Sequence, residues 1–290
     1  MCRLFGLHAG TPVRATFWLL DAPDSLAAQS HREPDGAGIG VFDQGGRPVV
    51  DKQPIAAWQD AQFATEAREL TSSVFIAHVR YASTGGLSVA NTHPFTQDGR
   101  ILAHNGAFTG LDQLDQRLAL TGANRLVGGD TDSERMFALI TEQTRSHRGD
   151  VESGIVSALT WMADSLPIYS LNLLLATPDT LWALRYPDTN ELHILQRRPT
   201  DNANNELEAV SPRIHARSTD LANQTATIIA SEPMDDDPHW RPMQPGELIR
   251  VDADQSVHSS FPLPPHPAHQ LTPQDLSPTV ATSQHPGRAT

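Results

Sequence analysis

Met1-Cys2-Arg3-Leu4-Phe5-Gly6-Leu7-His8 opens this 290-residue chain, and its second residue decides how the rest is read. Residues 2–8 are apolar enough for a short strand. Cysteine is small enough at position 2 for the cell's aminopeptidase to remove Met1, which leaves an α-amine on the residue that bears the thiol. An α-amine has a reference pKa of about 8, so an appreciable fraction is neutral at physiological pH and can take the thiol proton. Nucleophile and base then share one residue. On position alone the plainer reading, a small apolar residue starting a strand, is the stronger one. The segments downstream reverse it.

Four of them hold what such a nucleophile requires. In Val79-Arg80-Tyr81-Ala82-Ser83-Thr84-Gly85-Gly86 a strand runs into a polar loop. An arginine at that strand end can grip a carboxylate in a bidentate fork, with hydroxyls nearby. His104-Asn105-Gly106 closes another strand. Cleaving an amide creates a tetrahedral oxyanion, and an Asn side-chain amide with a Gly backbone N–H is a usual donor pair for it. Gly128-Gly129-Asp130-Thr131-Asp132-Ser133-Glu134 enters a helix, where Asp132 can accept from a substrate ammonium. Asn91-Thr92-His93-Pro94-Phe95 puts His93 in a loop, with a structural role favoured over pocket lining. Each segment has a plain reading too: a surface arginine, an Asn-Gly turn, and acidic residues complementing a helix dipole.

Around these motifs, residues 1–261 read as one mixed α and β domain. Residues 15–30 are helical with a break at Pro23 and a capping restart at Asp24-Ser25. Gly36–Phe42 and Ser73–Arg80 are strands, 59–70 is a helix, and Ile101–His104 is a short strand. Thr131-Asp132-Ser133-Glu134 is a capping box before the helix Arg135–Arg145, and 151–164 is the next helix. Tyr169–Thr177, Leu181–Tyr186, Glu191–Gln196, Ala226–Ala230 and Glu247–Val251 are strands, with 197–225 a surface excursion. Strands at both ends with two helices between them suggest layered sheets and helices. Residues 262–290 hold seven of the 22 prolines and two charges, so they are expected to be a disordered tail whose removal after Phe261 leaves folding intact.

Composition narrows the function. Hydrophobic residues at 39% and charged residues at 19% suit a globular domain, and a net charge of −13 disfavours nucleic acid and anionic membrane. No apolar run approaches the roughly 20 residues of a membrane span. A single cysteine rules out an intrachain disulfide, and the start lacks a secretory signal, so a cytoplasmic location is expected.

Cys2, Arg80-Tyr81, His104-Asn105-Gly106 and Thr131-Asp132-Ser133-Glu134 follow the order and spacing of the class II glutamine amidotransferases, which the chain resembles over about residues 2–252. His31-Arg32-Glu33-Pro34-Asp35-Gly36 looks like that family's Arg-Gly-Pro-Asp-Gly turn. Ile228-Ile229-Ala230-Ser231-Glu232-Pro233 with Gln244-Pro245-Gly246-Glu247-Leu248 looks like its late strand pair. The resemblance implies an α+β fold, the four-layer αββα N-terminal-nucleophile sandwich. It implies Cys2 as nucleophile with its own α-amine as base, and Asn105 with Gly106 as oxyanion hole. It assigns Arg80, with Ser83 or Thr84, to the substrate α-carboxylate and Asp132 to its α-ammonium. The substrate is then glutamine or another γ-glutamyl amide, with no cofactor and no metal.

Two departures bear on the substrate. Arg3 stands where glycine is usual, and Glu33 replaces the glycine of the Arg-Gly-Pro-Asp turn. Met-Cys-Arg and the run Ser231-Glu232-Pro233-Met234-Asp235-Asp236-Asp237 with Trp240 resemble a stand-alone branch that includes the γ-glutamyl amidohydrolase of ergothioneine biosynthesis. No ammonia-accepting domain is expected after the glutaminase region. A stand-alone hydrolase is therefore the first expectation, and a glutaminase subunit feeding a separate synthase is the alternative. A homo-oligomer is left open. A metal-binding protein built on His78, His93 and His104 fits no familiar ligand spacing.

Overall fold

The computed structural model describes residues 2–198, 207–210, 215–218 and 224–284. Its strands run β1 (Arg3–Val13), β2 (Gly36–Phe42), β3 (Pro48–Gln53), β4 (Ser72–Arg80), β5 (Phe95–Gln97), β6 (Arg100–Phe108), β7 (Pro167–Ala176) and β8 (Leu181–Leu184). They continue as β9 (His193–Arg197), β10 (Leu207–Val210), β11 (His215–Ser218), β12 (Ala226–Ala230), β13 (Arg241–Pro242), β14 (Leu248–Val251), β15 (Val257–Ser260) and β16 (His269–Gln270). The helices are α1 (Leu26–Gln29), α2 (Ala61–Glu69), α3 (Leu111–Thr121), α4 (Asp132–Ser146), α5 (Val151–Ser165) and α6 (Pro278–Gln284).

One sheet has the order β13-β9-β12-β1-β4-β2-β3 and the other β15-β14-β8-β7-β6-β5, with β16 beside the start of β7. The two sheets pack face to face because their strands are apolar on both sides. Leu4 joins Ile76, Ile101, Leu174, Ile229 and Ile249 between the sheets. Its neighbour Phe5 points the other way, into a layer with Leu7, Trp18, Phe63, Phe75 and Ile228 that α1 and α2 cover. On the far side, Leu102 and Leu173 pack with Leu114, Phe137, Ile140 and Leu159 of α3, α4 and α5. The result is a four-layer αββα sandwich. Each buried Leu, Ile or Phe contributes about 1.5–3 kcal/mol. A one-residue slip of any central strand would exchange its two faces, so register is strongly specified.

Most local expectations hold. Ser25 Oγ caps α1 by accepting from the Ala28 N–H at 3.3 Å, the restart expected after Pro23. Thr131 Oγ1 caps α4 by accepting from the Glu134 N–H at 3.3 Å. The expected capping box is only half formed, because the Glu134 carboxylate accepts instead from the Gly129 N–H at 2.7 Å. Between β6 and β7 there are three helices rather than two. The additional one, α3, runs between Gly110 (φ 82°) and Gly122 (φ 75°), and buries Leu114 and Leu118 four residues apart. That spacing was legible as an amphipathic helix.

Two segments need separate mention. Within 197–225, β10 and β11 pair antiparallel with each other; residues 199–206, 211–214 and 219–223 of that excursion lie outside the described residues. In the segment expected as a disordered tail, residues 263–271 are docked, while 285–290 lie outside the described residues. Leu263 joins the layer under α5, and β16 adds to β7 in parallel at Pro167 and Ile168. The Ala268 N–H donates to Ala163 O and the Leu271 N–H to Ile168 O, both at 2.8 Å. Proline content disfavours long helices and fully paired strands but not a short extended stretch beside the start of β7, where few N–H donors are needed.

Candidate active site

At one end the space between the sheets turns from apolar to polar. Side chains two apart along a strand share a face. Ile76 therefore puts His78 and Arg80 between the sheets, Ile101 and Ala103 put Asn105 there, and Leu4 puts Cys2 there. The half-buried Cys2 Sγ accepts from the Tyr81 N–H at 3.3 Å and lies 3.5 Å from Tyr81 O. Burial pushes its thiol above the ordinary value, against the pull of the Tyr81 hydrogen bond. A thiol so held is protonated at neutral pH and needs a base to become a nucleophile.

Arg80 is 3% exposed. Its guanidinium donates to Thr84 O at 2.7 Å, Gly85 O at 3.3 Å and Gly86 O at 3.2 Å. The fork thus shapes its own loop, and Thr84 contributes its carbonyl to it. Ser83 and Thr84 are half-buried. The carboxylates of Asp35 and Asp132 act on Arg80, as the Cys2 thiol would once ionised, so these groups gather around it. Asp132, 6% exposed at the first turn of α4, accepts from the Ser133 N–H at 2.8 Å and from Ser133 Oγ at 3.3 Å.

Asn105 is 1% exposed, and its Nδ2 donates only loosely, at 3.5 Å, to Ser231 Oγ. Ser231 Oγ accepts in turn from the Leu4 N–H at 2.9 Å, and the Ser231 N–H donates to Leu4 O at 3.1 Å, tying the end of β12 to the start of β1. Gly106 is required sterically: a Cβ there would lie 2.0 Å from Ser170 O and 2.6 Å from His104 Nε2. His104 lies beneath, with Nδ1 2.9 Å from Ser133 Oγ.

The expected residues therefore come together at one end of the layer, and three further ones complete the picture. Asn91 donates through Nδ2 to Gly86 O at 3.2 Å and accepts from the Asp130 N–H at 2.8 Å, fastening the Arg80 loop to the loop before α4. Its only sequence signal was its place beside His93. Ser231 and Glu33 are the other two; Glu33 is fully buried and its Oε1 is 3.2 Å from Arg3 Nη1. His93 behaves as a structural residue. Its ring lies 4.3 Å from that of His78 and 4.5 Å from that of Phe95, and burial keeps His78 and His93 neutral, with the His78 pKa pushed down to about 3. Among the described residues no group of three or more His, Cys, Asp or Glu side chains is arranged to hold a metal ion. No described helix is long and apolar enough to cross a membrane.

The two-sheet sandwich thus has a thiol at the start of a central strand, a buried arginine beside it and an Asn-Gly pair on the facing sheet. The sequence profile of the class-II glutamine amidotransferases matches residues 1–274, and the chain belongs to that family of enzymes. An uncharacterized protein of Methanocaldococcus jannaschii is 29% identical over 268 residues, 90% of this chain and 72% of that protein. The gamma-glutamyl-hercynylcysteine sulfoxide hydrolase of Mycobacterium tuberculosis (strain H37Rv) is 28% identical over 261 residues, 87% of this chain and 93% of the hydrolase. Among solved structures, the glutamine phosphoribosylpyrophosphate amidotransferase of B. subtilis superposes with a TM-score of 0.62 at 22% identity. That likeness takes in 90% of this chain and 49% of the other, and it shows the shared fold.

Proposed function

We propose that this protein hydrolyses the γ-glutamyl amide bond of glutamine or of a γ-glutamyl-capped small molecule through a thioester on Cys2. The observation that carries the reading is the convergence of the Cys2 thiol, Arg80, Asn105 and Asp132 at one end of the inter-sheet layer. Once Met1 is removed, the α-amine takes the Sγ proton and Sγ attacks the γ-carbonyl carbon. Asn105 Nδ2 and the Gly106 N–H hold the oxyanion, a contact typically worth about 10²–10³ in kcat per donor. As the C–N bond breaks, the α-ammonium returns its proton to the leaving nitrogen. Water then attacks the thioester, giving its proton to the amine, and glutamate leaves with the thiol restored. Arg80, with Ser83 or Thr84, receives the substrate α-carboxylate, and Asp132 receives its α-ammonium.

Hydrolysis of a γ-glutamyl conjugate is supported by the 28% identity to the gamma-glutamyl-hercynylcysteine sulfoxide hydrolase. A γ-glutamyl conjugate of a cysteine sulfoxide is thus the first substrate to assay. The test combines turnover of γ-glutamyl amides by the purified protein alone with intact mass after incubation with diazo-oxo-norleucine. The expected result is loss of Met1, one adduct on Cys2, and neither adduct nor turnover in Cys2→Ser. Turnover that begins only when a synthase is added would move the assignment to a glutaminase subunit. Full activity with Met1 retained would overturn the mechanism.

A further inference from the structure

The buried charges beside Cys2 have no part in the reaction as written. The turn that carries Glu33 is pinned to the strand end that holds the Cys2 thiol. The Asp35 N–H donates to Arg80 O at 3.0 Å and the Ala82 N–H to Asp35 Oδ2 at 2.8 Å, flanking Tyr81. Arg3 spans the opposite side. Its Nε donates to Glu232 Oε1 at 2.8 Å, its Nη1 lies 3.2 Å from Glu33 Oε1, and the same Nη1 reaches Cys2 O at 3.4 Å. One guanidinium therefore holds both the Glu33 carboxyl and the backbone of Cys2.

We propose that Glu33 is a positioning residue for the base of this reaction: its carboxyl group accepts a hydrogen bond from the α-amine of Cys2 and turns the nitrogen lone pair toward Sγ. The inference rests on the function proposed above. Removal of Met1 makes the Cys2 nitrogen a rotating terminal group whose lone pair must face the thiol, and a buried acceptor on the Arg3 side holds it there. Glu33 gives and takes no substrate proton; the proton moves from Sγ to the α-amine and on to the leaving nitrogen.

The groups facing Glu33 are Arg3 on β1, Arg32 beside it in the turn and Glu232 after β12, with Asp24 linked to the latter two. Burial pushes the Glu33 carboxyl up to about 7, against the pull of Arg3 and Arg32. Its charge acts on the Cys2 thiol as well. The ionised carboxylate favours the protonated form of an amine beside it. Replacing it by an amide lowers the amine pKa by about 1 unit or more, the usual effect of removing an opposite charge at contact distance.

Cys2 is the single cysteine, so labelling with ¹⁵N-cysteine places one label in the chain. In the mature wild type, the Cys2 ¹⁵N shift is expected to show its own titration and a second inflection near pH 7 from Glu33. In Glu33→Gln the second inflection disappears, the amine titrates about 1 pH unit lower, and the acidic limb of kcat moves the same way. Glu33→Gln should lower kcat about tenfold and leave KM within about twofold, because the α-carboxylate and α-ammonium contacts are untouched. A single wild-type inflection, readable even if the variant does not fold, would refute the role of Glu33. So would identical amine titrations in the two proteins. Diazo-oxo-norleucine labelling of the wild type is run alongside: its absence would count against Cys2 as nucleophile, a separate failure.

Discussion

Gly106→Ala tests the oxyanion assignment through backbone geometry rather than by deleting a donor. The added Cβ would lie 2.0 Å from Ser170 O and 2.6 Å from the Ser170 carbonyl carbon, where ordinary contact begins at 3.4 Å. Because the obstacle is backbone of β7, no side chain can swing away. The two strands must part by about 1.4 Å at the pair Gly106–Leu171. Asn105, one residue earlier, moves with the strand. A misplacement of about 1 Å at a reacting centre costs on the order of 10²-fold, and overpacking costs a further 1–3 kcal/mol or so of stability. The variant should fold, lose about 10²–10³ in kcat and keep KM within about threefold, since Arg80 and Asp132 lie on other elements. Steady-state kinetics on γ-glutamyl amides, with thermal unfolding to verify folding, measures this. A folded Gly106→Ala enzyme with kcat within about threefold of wild type would show that Asn105 Nδ2 and the Gly106 N–H do not stabilise the transition state.

Arg80→Lys should raise KM by about 10- to 100-fold, because one ammonium cannot hold three loop carbonyls and also receive a carboxylate as the planar fork does; an unchanged KM would remove Arg80 from the binding site. Truncation after Phe261 should cost about 2–4 kcal/mol, since it strips Leu263 from its layer along with the hydrogen bonds to Ala163 and Ile168. A melting temperature within about 2 °C of the full chain would contradict that docking. Acid should destabilise the protein through His78. With its folded pKa down at about 3, the unfolded chain binds more protons between pH 6.5 and 3, so stability present above 6.5 is lost as pH falls through that window. The loss from His78 reaches about 5 kcal/mol at most. Urea midpoints of wild type and His78→Leu against pH should diverge there; parallel curves would show that His78 does not titrate on unfolding.

Much of this protein was legible in order along the chain. Apolar runs such as Ser73–Arg80 and Tyr169–Thr177 marked buried strands, and Thr131 marked the start of α4, because propensity and capping act within a few residues. Cys2, Arg80, Asn105 and Asp132 were each visible, since their chemistry resides in the side chain, and Gly106 was visible as the residue that lacks one. Their meeting at one end of the inter-sheet layer was not, because it depends on the pairing of β1 with β4 and of β6 with β7 and on the packing of one sheet against the other. Burial was equally invisible. Glu33 reads as a polar turn residue until Arg3 and the folded-back 231–232 segment enclose it. The proline-rich segment misled for the opposite reason: composition reports what a chain cannot form alone, whereas β16 is held by the start of β7, about a hundred positions earlier. Local chemistry was therefore written in the residues, and their distances and electrostatics came only from contacts between segments far apart in the chain.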